Sequence, residues 1–337
     1  MDTKKVVTFG EVMMRLSSPN YQKIEQVNSL EVSFGGSEMN VAASLRNFGL
    51  EAKHVSVFPK NRLGKKATAY MRLLGLDTSG VTLSGERMGL YFFEKGASMR
   101  ASQIIYDRKD SAFQNLDPSW FNWEEILKDA SWFHWSGITA ALSQSAATAC
   151  LEAVKVAHKM GITISSDIYY RQDQWKYGKT PQDILPEIAS YSTILLANEA
   201  NMKDILGVQY AEGDNAFIES SENTMELMPN IKKVVDTKRK QYSSHHNVIS
   251  SKLFNGKKLI KSQKQDITFI VDRIGAGDAF LGGFIYGQII LQNDQDSINF
   301  GTAASALKHT IEGDFNLANI EEIENLVSGD ISGRIKR

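Results

Sequence analysis

Cysteine is almost missing from this chain. Cys150 is the one thiol among 337 residues, so no intramolecular disulfide can form and no cysteine-based zinc site can be built. That fits a reducing setting, and a cytoplasmic location is expected. No run of 18 apolar residues occurs, so no transmembrane helix is expected. The opening stretch MDTKKVVTFGEVMMRL has neither the long apolar core nor the small-residue cleavage site of a signal peptide. An excess of one charge is missing too: 38 Lys and Arg face 39 Asp and Glu, for a net charge of −1. Neither nucleic acid nor a membrane is an expected partner on that balance. The six histidines show no metal-ligand spacing. What remains is an ordinary globular composition, 42% hydrophobic and 23% charged. The length suggests two domains, or one large domain with an insertion.

Val6-Val7-Thr8-Phe9 is a β-branched and aromatic run that reads as a buried strand. Further strands fit residues 30–34, 54–58, 89–94 and 103–106, the last two joined by a hairpin at 95–98. Beyond Asp110, strands at 132–135, 162–165, 193–196, 233–235 and 267–271 alternate with helical patterns. That rhythm predicts a doubly wound, mainly parallel α/β sheet flanked by helices. Two stretches break it with strands that have no helices, and predict a small inserted β-strand lid. The expected division is 1–14, 36–87 and 113–337 for the α/β domain, and 15–35 and 88–112 for the lid. From Ile231 to Gln265 there are ten Lys and Arg and one acid, Asp236. This reads either as a solvated hairpin face or as a basic rim over a polyphosphate.

The most informative stretch is Asp272-Arg273-Ile274-Gly275-Ala276-Gly277-Asp278-Ala279-Phe280. It lies between the strand expected at 267–271 and a helical pattern over 279–290. Glycines allow unusual backbone angles and a close ligand, and the first amides of a helix bind anions. Asp278 reads either as a helix N-cap or as the base that takes a proton from an attacking hydroxyl. There is no G-K-[ST] for a Walker A loop, and Phe280 breaks the dinucleotide fingerprint. Ser136, His134 and Asp167 form a hydrolase triad only on paper, because no G-x-S-x-G elbow accompanies them.

This stretch resembles the D-T-x-G-A-G-D-A-F signature of ribokinase-like (PfkB) sugar kinases. Phe34-Gly35-Gly36-Ser37-Glu38-Met39-Asn40-Val41-Ala42 resembles the family's sugar-site motif G-G-x-x-x-N-x-A, and the likeness spans nearly the whole chain. Within the family it is nearest to members acting on 2-keto-3-deoxygluconate. The residues behind that are Gly89 to Gly96, Tyr106-Asp107-Arg108, Asp167-Ile168-Tyr169-Tyr170-Arg171 and Glu312-Gly313-Asp314. The resemblance implies a kinase with ATP and Mg2+ as cofactors and a sugar acid phosphorylated on its 6-hydroxyl. It makes Asp278 the catalytic base and Gly275, Ala276 and Gly277 the anion hole. It makes Gly36, Asn40, Tyr91, Tyr106, Arg108, Arg171 and Asp314 substrate contacts. Asn198, Thr237, Lys238, Gly275 and Gly277 become nucleotide contacts. It also admits a monovalent cation near the carbonyls of Asp272 and Ile274.

An acidic sugar suits arginine, which grips a carboxylate with two parallel hydrogen bonds; Arg108 and Arg171 are the candidates. Each also reads as a surface ion pair, with Asp107 and Asp173 close by. The chain departs from the family pattern in two places. Asn201 stands where N-x-x-E has its glutamate, leaving Glu199 or Asp204 as nearby carboxylates. Asp236-Thr237-Lys238-Arg239 replaces a G-x-x-G turn. Finally, the apolar side of the lid, Leu90 or Phe92, needs cover, and a homodimer packed lid to lid is expected to supply it.

Overall fold

The computed structural model describes residues 4–169 and 174–334. The central strand is β1 (Lys5–Phe9), paired in parallel with β4 (Glu51–Phe58) on one side and β8 (Ala130–Ser136) on the other. Outward from β8 come β9 (Thr163–Asp167), β10 (Ile194–Leu196) and β11 (Lys233–Gln241), all parallel. β12 (Asn247–Phe254) then turns back antiparallel, and β13 (Leu259–Lys261) and β14 (Gln265–Ile267) share its outer edge. β5 (Val81–Leu83) closes the other end beside β4.

Both faces of the central strands are covered, so most residues of β1, β8 and β10 are buried. Successive side chains on β1 enter opposite cores. Val7 and Phe9 pack with Trp135, Leu195 and the alanine-rich side of the helix Gln144–Lys159. Val6 packs with Phe48, Phe280, Phe284 and Phe300 on the other face, under the helices Ser37–Asn47, Ala276–Tyr286 and Asp294–Lys308.

A separate four-stranded sheet stands over one end. Its order is β3 (Glu31–Gly35), β2 (Met13–Ser17), β6 (Leu90–Glu94) and β7 (Gln103–Asp107). Register puts Ser33, Arg15, Tyr91 and Tyr106 in one row across the sheet, and Val32, Leu16, Phe92 and Ile105 in the next. Adjacent rows face opposite ways.

Three local expectations are corrected. The β6–β7 connection runs from 95 to 102, longer than the hairpin expected at 95–98. A tight turn closes inside it, with the Ala97 and Arg100 backbones bonded to each other at 2.9–3.0 Å. Residues 268–271 are not strand. Past Ile267 the edge of β12 is used up, so the amides of Ile270 and Val271 bond to the carbonyls of His245 and His309 instead, and Phe269 lies exposed. The helix after the glycines starts at Ala276 with Gly275 as its N-cap, so Asp278 is the third helical residue and not the cap.

Candidate active site

A cleft of about 580 Å³ opens between the lid and the carboxyl ends of the parallel strands, where open α/β sheets hold ligands. Its floor is the start of the helix Ala276–Tyr286. Gly275 has φ 78°, and a side chain there would strike the Asp314 carbonyl, so only glycine makes this turn. The Ala276 amide bonds the Arg273 carbonyl at 3.4 Å, and the first helical bond runs from the Ala279 amide to the Gly275 carbonyl at 2.8 Å. The amides of Gly277 and Asp278 precede it at the positive end of the helix dipole, which suits a phosphate.

Asp278 is held from the opposite helix. Ser37 Oγ donates to its Oδ1 and Asn40 Nδ2 to its Oδ2, both at 2.7 Å. Asn40 is thus engaged at both ends, because its Oδ1 accepts the Gly36 amide at 3.3 Å. Gly36 lets β3 run tight against the loop after β1, where a Cβ would sit 2.1 Å from the Glu11 carbonyl. The expected sugar contacts Gly36 and Asn40 therefore also position the aspartate.

Tyr91 and Asp314 meet deeper in the cleft. The Tyr91 hydroxyl donates to Asp314 at 2.7 Å, and Arg15 Nη1 donates to the same carboxylate at 2.7 Å. Burial pushes the Asp314 carboxyl up, against the pull of Arg15 and Tyr91. Arg15 is 1% exposed and sits 4.4 Å over the Phe93 ring. It also bonds Asp272 at 2.6 Å and Ser17 at 2.7 Å. Burial works against its charge, but Asp272 and Asp314 outweigh that and hold it firmly protonated.

Tyr106 and Ile104 line the lid side of the cleft, with the Arg108 guanidinium 5.7 Å from the Tyr106 ring. Arg108 does not pair with Asp107, which takes Arg87 instead. It grips buried Glu11 through Nε at 2.8 Å and Nη2 at 2.5 Å. Arg171 lies outside the described residues. Glu38 is buried beside the base. Desolvation pushes its carboxyl up to about 7, while Ser136 and Thr139 hydroxyls donate to it at 2.5 and 2.6 Å. That bond occupies Ser136, and His134 bonds Ser165, so the paper triad does not form.

Toward β11 the lining turns basic, with Thr237, Lys238, Arg239 and Arg273. Asn198 caps the helix Glu199–Leu206, its side chain accepting the Asn201 amide at 2.8 Å, and Asn201 completes the capping box. Glu199 pairs with Lys252 at 2.5 Å, and Lys252 also reaches Asp236. Among the described residues no group of three or more His, Cys, Asp or Glu forms a metal cage.

Sequence reasoning missed Arg15, Glu11, Glu38 and Ser37 as site residues. The last two lie inside the motif it had singled out. Arg15 carries a weaker signal, a charge on the same strand face as Met13 and Ser17.

Residues 3–319 match the model of the pfkB family of carbohydrate kinases. The chain belongs to that family. It is similar to 2-dehydro-3-deoxygalactonokinase of Haloferax volcanii, 31% identical across 98% of this chain and 99% of the relative. It is 41% identical to the crystal structure of 2-dehydro-3-deoxygluconokinase of Thermotoga maritima, with a TM-score of 0.91, covering 97% of this kinase and 98% of that one. A 5-dehydro-2-deoxygluconokinase of Bacillus velezensis is 25% identical over 90% of this chain and 87% of its own.

Proposed function

We propose that this kinase transfers the γ-phosphoryl group of ATP to the 6-hydroxyl of a 2-keto-3-deoxy sugar acid, with 2-keto-3-deoxygluconate as the preferred substrate. The observation that carries this is the Asp278 carboxylate, fixed by Ser37 and Asn40 at the mouth of an anion-binding helix start, with Arg108 and Tyr106 facing the same space. The two similar kinases named for 2-dehydro-3-deoxy sugar acids support it.

Asp278 takes the proton of the 6-hydroxyl as that oxygen bonds to the γ-phosphorus, and the bond to the β-phosphate oxygen breaks to release ADP. An aspartate is a weak base, with an ordinary pKa of about 3.9. That suffices, because phosphoryl transfer is carried mostly by positioning and charge stabilisation. The amides of Gly277 and Asp278 face the transferring group, while the Ala276 amide is turned to the Arg273 carbonyl at 3.4 Å. Lys238, Arg239 and Arg273 hold the polyphosphate, and Thr237 flanks the nucleotide. Magnesium, when bound, offsets charge on the phosphates. Arg108 and Tyr106 contact the sugar carboxylate and hydroxyls. Tyr91 and Asp314 form the wall behind them. The lid closes over the sugar and excludes water. The kinase acts as a homodimer joined through the lids.

ADP release measured with a panel of acceptors tests the assignment. 2-Keto-3-deoxygluconate should show the highest kcat/KM, its galacto epimer should come close, and fructose and ribose should be poor. If 5-dehydro-2-deoxygluconate or a neutral sugar is turned over better, the assignment fails.

A further inference from the structure

The family resemblance admits a monovalent cation at the carbonyls of Asp272 and Ile274, and a cationic side chain of this chain already bonds the first of them. Lys308, the last residue of the helix Asp294–Lys308, is fully buried. Its Nζ donates to the Ile311 carbonyl at 3.0 Å and to the Asp272 carbonyl at 3.4 Å. These carbonyls belong to two different loops. The Asp272 loop leads into Gly275, Ala276 and Gly277. The Ile311 loop leads to Asp314, whose carbonyl supports Gly275 from below.

The same two loops are stitched by the Val271 and Asp272 amides on the His309 carbonyl, at 2.8 and 3.2 Å, and by the Gly313 amide on Asp272 Oδ2 at 3.2 Å. The lid adds Arg15, bonded to both Asp272 and Asp314. The Lys308 ammonium thus joins the two loops that flank the anion-binding turn. Burial pulls its pKa down, Asp272, Asp314 and Glu312 hold it up, and Arg15 opposes them.

A free cation does not fit this arrangement. It would share the Asp272 carbonyl with a buried ammonium, and little water is available there to screen two like charges. An ammonium is a compact point charge with three donors, which lets it replace a small cation among carbonyl oxygens.

We propose that Lys308 is a positioning residue whose ammonium acts as a built-in monovalent cation, locking the Asp272 and Ile311 loops under the anion hole so that phosphoryl transfer needs no potassium. The inference rests on the kinase activity of the family and not on which sugar acid is the acceptor.

The test compares wild type and Lys308→Ala in choline chloride, potassium chloride and ammonium chloride. At equal ionic strength screening is the same, so wild-type turnover should agree within about twofold across the three salts. Lys308→Ala should lose about tenfold or more in kcat in choline, because the anion hole loses its support. Potassium or ammonium should restore much of that loss. Without any substrate, the melting temperature of Lys308→Ala should rise in potassium over choline, while that of wild type should not. Lys308→Met keeps the packing but not the charge, and should lose turnover as well.

A wild type that depends on potassium would overturn the proposal. So would a folded Lys308→Ala whose kcat and melting temperature are the same in every salt, or a Lys308→Met with full turnover. Should no sugar acid be phosphorylated, the substrate assignment falls, while the substrate-free melting comparison still decides the role of Lys308.

Discussion

The two ends of the cleft treat their cations differently. At the sugar end Arg15 holds Asp272 and Asp314, and Arg108 holds Glu11. At the nucleotide end Lys238, Arg239 and Arg273 line the cleft, and none of them makes an ion pair among the described residues. The first end is preorganised: Arg15 and Arg108 already have carboxylate partners, so a sugar acid bound as proposed meets a fixed wall. The second end is a basic rim that a polyphosphate completes. Lys238 and Arg239 are exposed and cost little to leave unpaired in water, Arg273 is half-buried and donates to the Ser244 carbonyl at 3.4 Å, and a fully buried cation such as Arg15 needs its partner in place. Asp278 stands between the two ends, held by the Ser37 hydroxyl and the Asn40 side-chain amide.

The sharpest way to break this comparison is at that boundary. Asp278→Asn keeps the shape, with its oxygen still able to accept from Asn40 and its NH2 donating to the Ser37 hydroxyl, which must turn to accept, but it cannot take the proton. Turnover should fall by about two orders of magnitude or more, while calorimetry still shows sugar acid and ATP binding. Near-normal kcat in the folded variant would remove Asp278 from the chemistry. The next step separates the two ends. Arg108→Ala should raise KM for the sugar acid roughly tenfold or more, in line with ~1.5–3 kcal/mol for a hydrogen bond to a charged group, and leave KM for ATP nearly unchanged. Arg239→Ala should do the reverse with a smaller effect, since its side chain is exposed. Steady-state kinetics in both substrates reads the split, and equal effects on both KM values would erase the distinction.

What could be read in the sequence follows from how local the physics is. The turn at Gly275 and the helix behind it depend on neighbours within a few residues, so glycine chemistry and helical spacing exposed them. The row alternation of the lid likewise follows from strand periodicity. Arg15 escaped because its partners Asp314 and Asp272 are 299 and 257 residues away. The one local sign is strand alternation, which puts Arg15 on the same face as Met13 and Ser17, and that alone does not name its partners. Lys308 escaped for a different reason: its partners are backbone carbonyls, which carry no sequence signal at all. The strand expected at 267–271 failed because an apolar run needs a free edge to pair with, and that edge ends at Asn247.

Glu38 offers a subtler test of preorganisation at the sugar end. Desolvation holds its carboxyl near 7 in the folded protein against about 4.5 in the unfolded chain. The folded state therefore binds this proton more tightly, and stability should fall as pH rises from about 4.5 to about 7, then level off. A shift of this size corresponds to ~3 kcal/mol at most. Glu38→Gln should flatten that part of the stability profile in urea titrations. An unchanged slope would mean that Glu38 is ionised throughout, held by the Ser136 and Thr139 hydroxyls.

The smallest effect on catalysis is expected from the lid's outer face, where the same strands that wall the sugar turn their other side to solvent. Val32, Leu16, Phe92 and Ile105 form one continuous apolar row, with Val32 46% and Ile105 55% exposed. Of the two residues expected on this surface, Leu90 packs against the main core while Phe92 lies in the row, and none of the described helices covers the row. A contiguous apolar strip of this kind marks an interaction surface, and a second copy of the lid matches it by symmetry. Sedimentation at micromolar concentration should show a dimer, and Phe92→Lys should shift it to monomer by placing a charge at the centre of the strip. The inner row of Arg15, Tyr91 and Tyr106 is untouched by that change, so kcat should stay within about twofold of wild type, as for an ordinary surface substitution. A wild type that sediments as a monomer removes the dimer. A Phe92→Lys monomer that loses kcat in proportion to its dissociation would instead show that the two faces of the lid are coupled, with the partner lid holding the inner row in place.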